Sequence, residues 1–280
     1  MKILCCSLFL MLVTACAAPR AFEVTTPQAK TDPYPPVIEA SAARQQAAEE
    51  AWRQLLSEFR LPETRLDFEP VLYTPRALPV ALANQINLSS PGAKFGADEA
   101  REALRRFIER AHAVLSGDQR TNALLLKDLS LTSFSDEGSV YRAVYQQRSY
   151  QYPLANNYGQ LNLVLSKTGA LLQMSSRIVS PVLLSTELPG RPGISPDKLI
   201  TPLLGREFTY TSIAGQPLNY KVSQRDEISV KELVIYPRVD NDRLAVHLAW
   251  QVEVGRGTTW TVYIDAMTGK ELEVRPNFAS

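Results

Sequence analysis

Two histidines, three cysteines and the aspartates at 240 and 242 are the side chains whose type and spacing raise the question of chemistry. A zinc peptidase needs His-Glu-x-x-His, which sets two imidazoles on one helix face with a carboxylate between them. His112 is followed by Ala113 and Val114, and His247 by Leu248 and Ala249, so neither builds that site. His112 falls at the margin of a helical stripe. His247 falls on the polar side of an alternating strand, where Val246 and Leu248 are expected to point inward. The sequence holds no Gly-x-Ser-x-Gly elbow and no glycine loop of the kind that cradles phosphate. Asp240 and Asp242 flank Asn241, a composition suited to a hairpin tip rather than a cation site. The expectation is no catalytic residue, no metal and no cofactor.

The thiols point to a different chemistry. Cys5, Cys6 and Cys16 all stand at the N-terminus, where Lys2 precedes an apolar run that ends in Val13-Thr14-Ala15-Cys16. The run is shorter than the roughly 20 residues needed to span a bilayer. Its order of charge, apolar stretch and small residues is that of a secretory signal. Val-Thr-Ala-Cys resembles a bacterial lipobox, which implies a diacylglycerol on the Cys16 thiol and loss of residues 1–15 as signal peptide. An ordinary signal cut near Ala15 or Ala18 is the competing reading. Residue 17 is Ala, not the aspartate linked with inner-membrane retention, so the periplasmic side of the outer membrane is the expected location. Each buried acyl CH₂ contributes about 0.8 kcal/mol, and two or more chains make a durable anchor. No cysteine follows Cys16, so no disulfide can form in the mature chain and the fold must rely on its apolar core.

That core has to come from 280 residues, 45% of them hydrophobic. Thirty basic residues against 29 acidic ones leave the chain near neutrality, which argues against nucleic acid as a partner. Pro19, Pro27, Pro33, Pro35 and Pro36 make residues 16–40 read as a flexible tether. Residues 41–96 follow as a helix and an extended segment. Ser41 is the expected N-cap, and Ala48, Trp52, Leu55, Leu56 and Phe59 recur at helical spacing. Pro70, Pro75 and Pro79 predict extended chain afterwards.

The strongest helical pattern comes next. Ala100, Leu104, Phe107, Ala111 and Leu115 form one stripe, closed by Gly117. Its other face interleaves Glu102, Arg105, Arg106 and Glu109, so it reads as a self-paired solvated face, with Glu102 and Arg106 four apart. The period then changes to two. Alternation around Leu129 and Leu131, Val140 to Gln147, Leu161 to Leu165 and Leu172 to Ile178 predicts a meander of strands wrapped on that helix. Pro181 to Pro196 reads as a linker, and Ser195 with Pro196 opens a short helix. A second strand series runs over Leu233–Tyr236, Leu244–Val254, Thr259–Ile264 and Lys270–Val274. The predicted fold class is α+β: two small antiparallel sheets, each packed on a helix, over residues 97–180 and 195–275, behind an N-terminal helix and a disordered tether.

Three segments of that second series carry a resemblance. They are Leu233-Val234-Ile235-Tyr236-Pro237, Leu244 to Val252, and Trp260 to Lys270 with Ile264-Asp265-Ala266 and Gly269-Lys270 at its turn. Together they resemble a PepSY domain as found in propeptides of thermolysin-type metallopeptidases. Residues 97–180 resemble the fungalysin/thermolysin propeptide (FTP) domain through Tyr145-Gln146-Gln147, Gly159-Gln160-Leu161 and Thr168-Gly169. The family's Asn-Gly hairpin is replaced here by Leu154-Ala155-Asn156-Asn157. The resemblance implies domains that assist and inhibit an attached protease, yet no peptidase follows before Ser280. It therefore implies a non-catalytic lipoprotein that binds an exported partner, a metallopeptidase among the candidates, as inhibitor or chaperone. The competing expectation is a structural or assembly lipoprotein of the envelope, since fold alone does not fix function.

Overall fold

Helical spacing at the start of the body produces α1, Ala42–Glu58, which buries Ala48, Ala51, Trp52, Leu55 and Leu56. Ser41 holds the N-cap position in extended backbone, but its side chain caps nothing; its N–H donates to the Tyr73 hydroxyl at 3.0 Å. The computed structural model describes residues 34–89, 95–120, 126–211, 216–256 and 259–277. Those residues all belong to one compact unit beginning at Asp32. Cys16 and most of the expected tether lie outside the described residues.

The described part of that tether is not free chain. Val37–Glu39 forms strand β1, and Ala40 donates to Asp242 O at 3.0 Å. The proline-rich composition predicts a flexible tether, but Ile38 is only 4% exposed and sits in a core cluster with Val71, Leu72 and Leu244. One enclosed aliphatic side chain, worth about 1.5–3 kcal/mol, favours the docked strand over the open one. Further along, the segment expected to be extended contains a 3₁₀ turn, Val80–Leu82, that drives Leu82 inside.

The second helical stripe forms α2, Ala97–Arg110, and α3, His112–Ser116, with a break at Ala111 where one continuous helix was expected. Glu99 accepts the Gly96 N–H at 3.1 Å, and Asp98, Glu99 and Arg110 complement the helix dipole. On the solvent face Glu102 pairs with Arg105 at 2.9 Å, three residues on, rather than with Arg106. Gly117 ends α3 in the left-handed region, φ 61°, where a Cβ would lie 2.1 Å from Leu72 O. Any side chain there would force the backbone to shift.

Period-two alternation then yields β2 (Leu129–Glu137), β3 (Val140–Ser149), β4 (Tyr152–Pro153), β5 (Gln160–Ser166) and β6 (Leu171–Ser176). The sheet runs β2-β3-β5-β6, all antiparallel, with β4 on β3. Leu161, Leu163, Leu165 and Met174 pack against Leu55, Leu104 and Phe107 in one core. The stretch expected to be a linker begins as a helix, α4, Pro181–Glu187. Its proline occupies the first turn, where the missing N–H costs nothing, and Leu184 and Leu188 are buried. A short 3₁₀ turn, Pro196–Leu199, leads into α5, Ile200–Leu203.

A hairpin that the sequence did not announce, β7 (Glu207–Thr211) with β8 (Pro217–Lys221), precedes the last four strands. These are β9 (Ile228–Asp240), β10 (Arg243–Val254), β11 (Trp260–Asp265) and β12 (Glu271–Pro276). β10 is central: β9 lies on one side, β11 on the other, and β1 continues the β11 side beside Arg243 to Ala245. The inner face divides between two clusters. Ile235, Leu244, Val246 and Leu248 meet α4 and the loop at Val71 and Leu72. Val252, Val254, Trp260 and Val262 meet Leu199, Leu203 and Phe208. The fold is the expected α+β class: among the described residues, two five-stranded antiparallel sheets are each backed by helix, and the β7–β8 hairpin forms a separate two-stranded sheet. No helix among the described residues is long and apolar enough to cross a membrane.

Candidate functional site

The outer face of the C-terminal sheet carries the most deeply buried carboxylate among the described residues. Asp265 closes β11 and is 1% exposed. Its Oδ1 accepts the N–H groups of Met267 and Thr268, each at 2.8 Å, so the carboxylate holds its own turn in shape. Gly269, φ 74°, completes that turn. Oδ2 faces the other way and accepts from His247 Nδ1 at 2.7 Å and from the Tyr34 hydroxyl at 3.0 Å. Opposite a carboxylate acceptor, Nδ1 must carry the imidazole proton. The Tyr34 hydroxyl in turn accepts the Leu248 N–H at 3.1 Å.

Burial pushes the Asp265 carboxyl upward, but the hydrogen bonds from His247, Thr268, Met267 and Tyr34 outweigh it and hold the group below its ordinary 3.8. Tyr34 is pushed well above the usual phenol range, first by burial and then by the adjacent Asp265 charge. A phenol so disfavoured as phenolate is a poor nucleophile at neutral pH. The His–Asp pair has the form of the orienting half of a hydrolytic triad, yet its tyrosine partner donates its hydrogen bond to the aspartate and not to the imidazole. What the cluster achieves is mechanical: one carboxylate joins the β11 turn, the middle of β10 and the N-terminal strap. The turn is tied once more where Gly193 and Ile194 both donate to Ala266 O, at 3.0 and 2.9 Å.

Next to this cluster, Tyr236 and Tyr263 pack 4.7 Å apart over Val234 and Ala249. Glu273 accepts from the Tyr236 hydroxyl at 2.8 Å. A second enclosed acid, Glu227, receives Tyr220, the Ser223 hydroxyl and the Ser223 N–H, fastening the β7–β8 hairpin to β9. The Ser223 N–H is the main reason its carboxyl sits below the usual range. A cleft of about 740 Å³ opens elsewhere, between α1 and the loop carrying Leu66 and Phe68.

The residues weighed from sequence fall apart in space. His112 is half-buried at the start of α3, with Nδ1 2.9 Å from Glu109 O. Asp240, Asn241 and Asp242 form the β9–β10 turn, with Asn241 at φ 54°. No group of three potential metal ligands occurs among the described residues. Sequence reasoning placed His247 on the polar side of its strand, but missed Asp265 and Tyr34 beside it. The signal for Asp265 was the Asp-Ala-x-x-Gly turn. Pairing it with His247 required the β10–β11 register, Ala249 opposite Asp265, which sequence spacing does not contain.

Comparison with known proteins adds to this geometry. A comparison with curated proteins found no match. Among solved structures, the chain is similar to the C-terminal domain of YpeB from Bacillus megaterium, at 11% identity over 73% of each chain, with a TM-score of 0.32. Residues 228–275 match the family described as peptidase propeptide and YPEB domain, PepSY. The four strands β9 to β12, with the Asp265 turn between the last two, are thus a PepSY domain.

Proposed function

We propose that this chain is a non-catalytic, lipid-anchored envelope protein that binds another exported protein, as a peptidase inhibitor or chaperone-like module. The observation that carries the reading is the PepSY match over β9 to β12. The matched description speaks of a peptidase propeptide, a segment that works by touching its client. The geometry agrees with a contact role: His247, Asp265 and Tyr34 are engaged in holding strands together. In this reading the first sheet is the FTP-like partner of the PepSY domain. Cys16, acylated after removal of residues 1–15, fixes the body to the periplasmic side of the outer membrane.

The test is inhibition and refolding of secreted thermolysin-type metallopeptidases by the exported chain, alongside cross-linking in the intact envelope. Stoichiometric inhibition, or faster recovery of an unfolded peptidase, supports the reading. No effect on several such enzymes, with cross-links only to a membrane complex, would favour an assembly role and sink the inhibitor. Turnover of any substrate abolished by His247→Ala in a folded chain would overturn the non-catalytic part. Mass spectrometry of the native N-terminus decides the anchor, because an unmodified Cys16 thiol rules it out.

A further inference from the structure

One stretch of sheet edge in the PepSY domain is completed by residues from outside it. β11 pairs with β10 from Ala249 to Val254, so the same side of β10 from Arg243 to Leu248 is left to β1. β1, Val37–Glu39, stands outside the matched residues 228–275. It runs antiparallel to that edge, with Val37 opposite Ala245 and Ile38 opposite Leu244. Val246 donates to Pro36 O at 2.9 Å, and Leu248 to the Tyr34 hydroxyl at 3.1 Å. The edge is therefore an acceptor for an extended segment, and the chain itself displays how such a segment seats there.

β1 fills this edge incompletely. Pro36 stands opposite Val246 and has no N–H to return to Val246 O, and Pro35 beside it has none either. Of residues 34–40 only Pro36 and Ile38 are buried, while Val37 is 44% exposed. The Glu39–Arg243 ion pair, at 3.2 Å, is exposed on both sides and contributes little. A segment with an N–H at the Pro36 position makes a ladder bond that β1 cannot make. Its other requirements are legible from β1. An aliphatic side chain belongs opposite Leu244, where Ile38 meets Val71 and Leu72, and a hydroxyl or ammonium donor must replace Tyr34 at Asp265. Charge does not select it, because Arg238, Asp240, Asp242 and Arg243 at this end of the β9–β10 hairpin cancel. We propose that β1 is an internal placeholder, released so that an extended segment of an exported partner adds to β10 along Arg243–Leu248. The inference rests on the reading of a protein-binding module and names the place where that binding occurs.

Two measurements on the full chain test this. In amide exchange of the wild type, Val246 and Leu248 are expected to exchange about tenfold faster than Val252, which pairs with Val262, because β1 opens without the rest of the sheet. Equal rates at the three amides would overturn the placeholder. The second probe is a labelled peptide with the sequence of residues 34–41 carrying Pro36→Ala. It should bind the Ile38→Asp chain, whose strap is loosened, about ten times more tightly than the wild type, and protect Val246 from exchange. Val37→Asp, at an exposed position of the same strand, should leave the affinity at the wild-type level. Tyr34→Phe supplies a milder loosening should Ile38→Asp fail to fold. No binding to the loosened chain, equal affinity for loosened and wild-type chains, or protection at another strand would each overturn the proposal. The two readings fail separately: peptidase inhibition without peptide binding at β10 overturns this proposal alone, and peptide binding there without inhibition overturns only the inhibitor.

Discussion

The two sheets reach stability by different means. The first encloses aliphatic side chains, with Leu161, Leu163 and Leu165 fully buried, and leaves its charges outside on α2. Exposed pairs of that kind contribute little, about 0.2–1 kcal/mol each. The second sheet also has an apolar interior, but its outer face is held by one buried carboxylate with four donors around it: Tyr34, His247, Met267 and Thr268. A packed interior loses stability in proportion to the volume removed. A buried acceptor that organises several donors fails at once, because every donor is left without a partner.

Removing that acceptor should therefore have the largest effect. Asp265→Ala is expected to cost about 3–5 kcal/mol in urea unfolding, since it takes the acceptor away from the imidazole and two turn amides. Leu163→Ala, at the centre of the first core, should cost about 3 kcal/mol through lost transfer energy and a cavity. If the leucine proves much the more damaging, the contrast between the sheets fails. Gly117→Ala tests the junction. Its φ of 61° and the carbonyl of Leu72 at 2.1 Å from a Cβ predict a loss of about 2 kcal/mol. Tyr34→Phe keeps the ring and removes a single hydroxyl, so about 1 kcal/mol is expected. Its clearer signature is faster amide exchange at residues 37–39 and 243–246, with the first sheet unaffected.

The smallest effect is on pH dependence, and it sharpens the comparison. Asp265 has a folded value below the 3.8 of the unfolded chain, so its stabilisation is complete above that pH and disappears as pH falls through the folded value. Unfolding of the wild type against Asp265→Asn should converge in acid and separate above pH 4. At the alkaline end the sign reverses. Burial, with the Glu273 hydrogen bond and charge, pushes Tyr236 up to about 12, and burial does the same to Tyr145. Their contribution is complete below 10.0 and is lost as pH rises toward 12, which phenolate absorbance would follow.

Local periodicity was enough to read the α2 stripe, the alternating strands, the helix stop at Gly117 and the turn after Asp265. Each depends on side chains within a few residues of one another, and the apolar face they build has to be buried somewhere. Proline content misled at two places, because it reports a missing N–H but not what the neighbouring side chains will meet. Ile38 and Leu184 found buried contacts, and those contacts turned an expected tether end into β1 and an expected linker into α4. The union of Tyr34, His247 and Asp265 lay beyond any reading of spacing, with 213 and 231 positions separating the tyrosine from its partners in a chain of 280. Strand register and the docking of β1 brought them together. Those are set by which faces the whole core can enclose, a decision no local segment makes by itself.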